Sequence, residues 1–160
     1  MEGMVVQVPQ KHFIGMSFSG PFQTLVEGMT EHWGKFVARQ QEIPLVIHPD
    51  VRYDISDENA KYRMYTEYVA VEVEGFERIP ERMVAFTIPA RTYARFTHVG
   101  PMSTVKDTYT QLFQWLAQQG LEMDETALRM ERYDAQYIPS MHAPDRPENT
   151  YQIFIPLKEV

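Results

Sequence analysis

With 160 residues and 44% apolar side chains, the chain can bury the core of one packed domain and is too apolar for disorder. Its net charge of −7, from 22 acidic against 15 basic residues, argues against a phosphate-binding surface and so against direct nucleic-acid contact. The lack of cysteine excludes disulfides and thiolate metal sites, and no 18-residue apolar run or basic-then-apolar leader is present, so the chain reads as cytoplasmic and without membrane contact.

Residues 4–18 are rich in β-branched and aromatic types with Pro9 near the middle, which predicts extended chain entering a sheet edge or a bend. After Gly20-Pro21, the residues Leu25, Met29, Trp33 and Phe36 fall on one helical face. Gly28 and Gly34 weaken that helix by roughly 1 kcal/mol each relative to Ala, making it the softer of two. Extended runs are expected at 45–55 and 61–74, followed by a charged connector at 75–82. In the second run, alternation puts Glu67 with Val69, Val71 and Val73 and turns Thr66 and Tyr68 the other way.

The order then recurs: an extended run at 83–98 with Pro89, then Gly100-Pro101, then Ser103 or Thr104 as a helix cap. The next helix carries Val105, Tyr109, Leu112, Phe113 and Leu116 on one face and stops at Gly120. Further extended runs follow at 128–138 and 150–157. Between them, residues 139–149 hold three prolines and form either a lid or a long hairpin loop. The recurrence is visible in the letters at an offset of 80: Pro9, Gly20, Pro21 and Arg52-Tyr53-Asp54 return as Pro89, Gly100, Pro101 and Arg132-Tyr133-Asp134. The expected architecture is therefore α+β, a pseudo-twofold tandem of two β-α-β-β units with antiparallel sheets and a ligand cleft between them. Repeat 1 covers about 1–74 and repeat 2 about 83–160, together one domain.

Standard catalytic and nucleotide-binding signatures are missing from the sequence, and its five histidines lack paired metal spacing, so no catalytic residue, metal or cofactor is assigned. Adjacent acids such as Asp57-Glu58 and Asp124-Glu125 read as solvated surface. The nine Tyr, nine Phe, two Trp and ten Met exceed what two helical stripes need, which leaves either exposed tyrosines or an aromatic and Met-lined cleft. Such a cleft takes flat or cationic molecules, with cation–π contacts of about 0.5–2 kcal/mol.

The segment Ile88-Pro89-Ala90-Arg91-Thr92-Tyr93-Ala94-Arg95-Phe96-Thr97-His98-Val99-Gly100-Pro101, with Thr108-Tyr109, Glu131-Arg132-Tyr133 and Tyr151-Gln152-Ile153-Phe154-Ile155-Pro156, resembles the GyrI-like small-molecule-binding family. That family supplies the effector-binding domains of AraC-type and MerR-type regulators. The resemblance implies a cleft for lipophilic, often cationic compounds in the manner of multidrug binding. For some members it also implies inhibition of DNA gyrase, or hydrolysis of cyclopropane-containing toxins. It further implies an aromatic residue followed by Glu near the C-terminus as an acidic pocket floor, a place that Tyr151-Gln152 takes here. A neutral or weakly cationic ligand and no enzymatic activity are accordingly expected. The side chains turned away from the helices are expected to line the cleft: Met64, Thr66 and Tyr68 with Gln152 and Phe154, Thr66 being symmetric with Gln152 and Tyr68 with Phe154. Tyr133, Tyr137 and Tyr151 are further candidates. The expected partners are a small hydrophobic or aromatic ligand and a protein such as gyrase or a regulator, with no DNA-binding segment attached.

Overall fold

The computed structural model describes residues 3–59 and 63–159. Ten principal elements alternate along the chain: β1 (Met4–Val8), β2 (Lys11–Gly20), α1 (Phe22–Arg39), β3 (Arg52–Asn59), β4 (Met64–Val73), β5 (Val84–Ile88), β6 (Arg91–Val99), α2 (Val105–Gln118), β7 (Arg129–Tyr133) and β8 (Thr150–Pro156). Pro9 and Pro89 split each opening run into two strands, because a residue without an N–H cannot continue the ladder. Each unit is thus β-β-α-β-β.

All strands join one antiparallel sheet in the order β1-β6-β8-β7-β3-β4-β2-β5. The outer strands are exchanged: β1 of the first unit pairs with β6 of the second, and β5 of the second with β2 of the first. This exchange dictates the shape. A flat eight-stranded ladder would separate its edges by about 34 Å, at about 4.8 Å per strand. Yet Val8 of β1 and Lys11 of β2, near opposite edges, are three Cα steps apart, which span at most about 11 Å. Ile88 and Arg91 are tied in the same way. The sheet therefore curls into a half-barrel with its two edges drawn together at that end.

The helix-free face turns inward, where Phe13, Tyr53, Ile55, Ile88, Tyr93, Met130 and Phe154 form a closed apolar cluster with Val6, Val8 and Phe86. Both helices cover the outer face, packing Trp33 and Phe36 from α1 and Leu112 and Leu116 from α2 onto Val69, Val71, Val73, Phe96, Ile153 and Ile155. Full burial of each such side chain stabilises by roughly 1.5–3 kcal/mol. The helical stripes follow the spacing in the sequence, except that Phe113 is left 42% exposed and Thr108 takes a buried place.

Three local expectations are corrected. Residues 45–51 are not strand: Pro44 and Pro49 remove N–H donors, Leu45 adopts φ 62, and Val46 alone bridges to Val73, so β3 starts at Arg52 and continues to Asn59. Neither Ser103 nor Thr104 caps α2. A 3-10 turn over Met102–Thr104 precedes the helix, and the Thr104 hydroxyl donates backward to the Pro101 carbonyl at 2.7 Å. The run expected at 128–138 is strand only over β7. Of the run at 61–74, Lys61 and Tyr62 lie outside the described residues. Gly120 ends α2 with φ 68, its neighbour Leu121 N–H donating to the Leu116 carbonyl. The 139–149 loop is tied down by backbone bonds, Met102 N–H to Pro144 O and Gly100 N–H to Asn149 O, both 2.8 Å.

Candidate functional site

One row of residues crosses the helix-covered face through the six central strands: Met16, Val69, Asp54, Glu131, Ile153 and Phe96. Apolar side chains flank two acids that stand directly opposite each other on β3 and β7, and the pseudo-twofold axis passes between those acids. The axis also corrects the letter match at β3 and β7. Although Arg52-Tyr53-Asp54 repeats as Arg132-Tyr133-Asp134, the counterpart of Asp54 in space is Glu131, and Tyr53 lies on the inner face while Tyr133 lies under the helices.

The two flanks of this acid pair differ. On one side the next row holds Phe18, Glu67, Ser56 and Arg129. On the other, the matching places hold His98, Tyr151, Tyr133 and Arg52. The first flank is acidic and the second aromatic. Tyr133 stacks on Tyr151 with centroids 4.6 Å apart, meets Trp33 edge-on at 4.8 Å, and lies 6.0 Å from Tyr137.

Hydrogen bonds bind the two flanks together. Tyr109 of α2 donates to Glu131 Oε2 at 2.8 Å, and Tyr133 donates to Glu131 Oε1 at 3.2 Å. Ser56 donates to Glu67 Oε2 at 2.6 Å. Asp54 is 7% exposed, and its buried Oδ1 has no hydrogen-bond partner among the described residues. Burial first, then the facing charge of Glu67 and that of Glu131, push the Asp54 carboxyl well above the ordinary range. Burial raises Glu67 as well, against the hydrogen bonds from Asp54 and Ser56 that pull it down. Two buried carboxyls in one dry site disfavour each other's charged form, so the pair holds its protons more tightly than free carboxylates do. Burial and the charge of Glu131 likewise raise the Tyr109, Tyr133 and Tyr151 phenols, which stay protonated as donors.

A cation, Arg129, borders the acidic flank. The Arg129 guanidinium lies 5.1 Å from the centroid of the Tyr109 ring and donates to Glu58 at 2.5 Å. Burial works against its charge, but Tyr109, Glu131, Glu58 and Glu67 together hold it more firmly protonated than a free arginine. Outside it opens a cavity of about 530 Å³ whose walls include Asp57, Glu58, Asp124 and Glu125. No cluster of three or more His, Asp or Glu side chains suited to a metal ion occurs among the described residues.

The residues expected from sequence divide between the two faces. Tyr133, Tyr137 and Tyr151 come together under the helices, beside the acids. Tyr68 and Phe154 join the inner cluster, Gln152 is on the same face between Thr97 and Arg132, Thr66 shares a 2.8 Å hydroxyl contact with Ser19, and Met64 is 48% exposed at the start of β4. The expected symmetric pairs are shifted too, because Tyr68 opposite Ser17 corresponds to Gln152 opposite Thr97. Gln152 therefore lies on the opposite face of the sheet from Asp54, Glu67 and Glu131. Alternation already placed Glu67 with the valines, and that signal pointed at the site once the valine face was known to carry the helices.

An antiparallel half-barrel bearing two helices matches the GyrI-like fold. The chain belongs to the Cass2 family of integron-associated effector-binding proteins, whose sequence pattern matches residues 4–157, in agreement with the GyrI-like resemblance. It is 29% identical over 161 residues to the transcriptional regulator BrlR of Pseudomonas aeruginosa, covering 98% of this chain and 56% of the regulator, so the chain spans about half the length of that relative. The same fold occurs in SAV2435 bound to tetraphenylphosphonium, with TM-score 0.76 and 13% identity over 99% of this chain and 94% of that one. It occurs again in the EcmrR C-terminal domain, with TM-score 0.73 and 19% identity over 99% and 98%.

Proposed function

We propose that this chain binds a lipophilic organic cation on the helix-covered face, with the charge held by Glu67 and Glu131 over Asp54 and the apolar body held against Tyr133, Tyr151 and Trp33. The observation that carries the reading is the facing Asp54–Glu131 pair walled by tyrosines. A desolvated carboxylate favours a delocalised cation over a neutral molecule, and aromatic faces add cation–π attraction of about 0.5–2 kcal/mol. The sheet separates this centre from Met64, Thr66, Tyr68, Gln152 and Phe154, so one ligand does not touch both sets. The drug-bound fold relative points to the same ligand class.

Titration with tetraphenylphosphonium, followed by tyrosine and tryptophan fluorescence, tests this. Saturable binding is expected, weakened about tenfold or more by Glu67→Gln and by Glu131→Gln, which corresponds to about 1.4 kcal/mol or more. Gln152→Glu should leave the affinity unchanged. Wild-type protein that does not bind the cation, or binding indifferent to both carboxylate substitutions, overturns the reading.

A further inference from the structure

The acidic centre already has a cation beside it, and that cation belongs to the chain. Arg129 stacks over Tyr109, whose hydroxyl is bonded to Glu131, so its guanidinium has the aromatic face and the acid environment that an organic cation would require. Its attachment is light. Among the described residues only Nη2 has a partner, Glu58, and the buried Nε has none. The side chain is 23% exposed, at the opening of the acidic cavity. The arginine in the matching place of the other unit, Arg52, is held differently: its Nε donates at 2.6 Å to Gln40, whose amide is itself anchored to the Pro49 carbonyl. The matching arginines therefore have different anchors, an amide held by the backbone for Arg52 and an exposed carboxylate at the cavity mouth for Arg129.

We propose that Arg129 is a tethered competitor for the ligand: its guanidinium lies over Tyr109 at the edge of the acidic centre in the free protein, where it also lines the outer cavity, and swings further out toward Asp57, Asp124 and Glu125 when an organic cation takes the Tyr109 face. The inference rests on the cation-binding reading above and adds how the site is gated. The outward position costs little, because Glu58 belongs to both places and the cavity offers further carboxylates to a charge moving only the length of its own side chain. Exchange of one cation for another also spares the carboxylates a change of charge, which in a site of low polarity is the expensive step. A neutral ligand cannot substitute for the guanidinium and leaves it in place. The device thus selects permanent cations with enough apolar area to outcompete a tethered one.

The test compares tetraphenylphosphonium affinity at pH 8 for wild type, Arg129→Met and Arg129→Gln, with folding checked by circular dichroism. Both variants are expected to bind about tenfold more tightly. Methylguanidinium at about 10 mM, against a matched sodium chloride control, is expected to compete in the variants and have little effect on wild type, because their vacated place accepts it. Where neither variant folds, Arg129→Lys carries the test, with a gain of about threefold expected because a compact ammonium stacks less well on Tyr109. Wild-type binding with equal or weaker binding by folded variants overturns the tether and leaves the cation reading standing. No binding by any of the proteins overturns both.

Discussion

At the scale of single residues, the chemistry is concentrated in Asp54 and Glu67, whose burial in one site makes the fold sensitive to pH. Both carboxyls have folded-state pKa values raised above the unfolded ones, so the unfolded chain gives up its protons first as pH rises. Their contribution is fully present below the ordinary carboxylate pKa and is lost progressively as pH rises through the folded value. The melting temperature is therefore expected to rise as pH falls from 8 toward 5. Asp54→Asn, which replaces a titrating buried carboxyl with a neutral amide, should flatten that slope and stabilise the protein at pH 8. Thermal melts of the two proteins across that range check it; an unchanged slope would mean that Asp54 does not carry the pH dependence. Of the three acids of the centre only Glu67 left a signal in the sequence, its alternation with the valines, because the residues that face an acid across the sheet depend on strand partners that no local pattern carries.

At the scale of the element, α1 carries two glycines with different consequences. A Cβ on Gly34 would find only the Cβ of Ser140, at 3.9 Å, so Gly34→Ala is expected to stabilise by up to about 1 kcal/mol through helix propensity. At Gly28 a Cβ would come within 2.9 Å of His32 Nε2, whose ring stacks on Phe18 at 3.9 Å, and the gain there should be smaller or absent. Urea denaturation of both variants measures the difference. Helices were legible because a stripe such as Leu25, Met29, Trp33 and Phe36 records burial on one face directly. The stretch before β3 was not, since its alternation of apolar residues is overridden by Pro44, Pro49 and the positive φ of Leu45.

At the scale of the molecule, the curl of the sheet decides which face is interior, and Gly15 marks a place where β2 and β4 leave no room for a side chain. It lies in β2 between Ala70 of β4 and Val84 of β5, and a Cβ there would stand 2.2 Å from the Val69 carbonyl oxygen. Gly15→Ala is expected to cost about 1–3 kcal/mol or more, because the β4 backbone at Val69 and Ala70 would have to yield. A variant as stable as wild type in urea denaturation would show that the half-barrel relaxes freely. Alternation along β4 and β8 correctly sorted their side chains into two faces, but alternation is symmetric and cannot say which face the helices cover.

The sequence by itself determined the two-unit α+β plan, both helical stripes, the prolines that split the opening strands and the family resemblance, all of which are written in local spacing and composition. Only the tertiary structure decided where the chemistry lies. The exchange of β1 and β5 between units, with two-residue links too short to span a flat sheet, turns Tyr68 and Phe154 into interior packing. The pairing of β3 with β7 then sets Asp54 against Glu131, residues 77 positions apart, not the 80 that the matching letters suggest. Cross-strand register is fixed by loop lengths and packing over long separations, so no local pattern carries it.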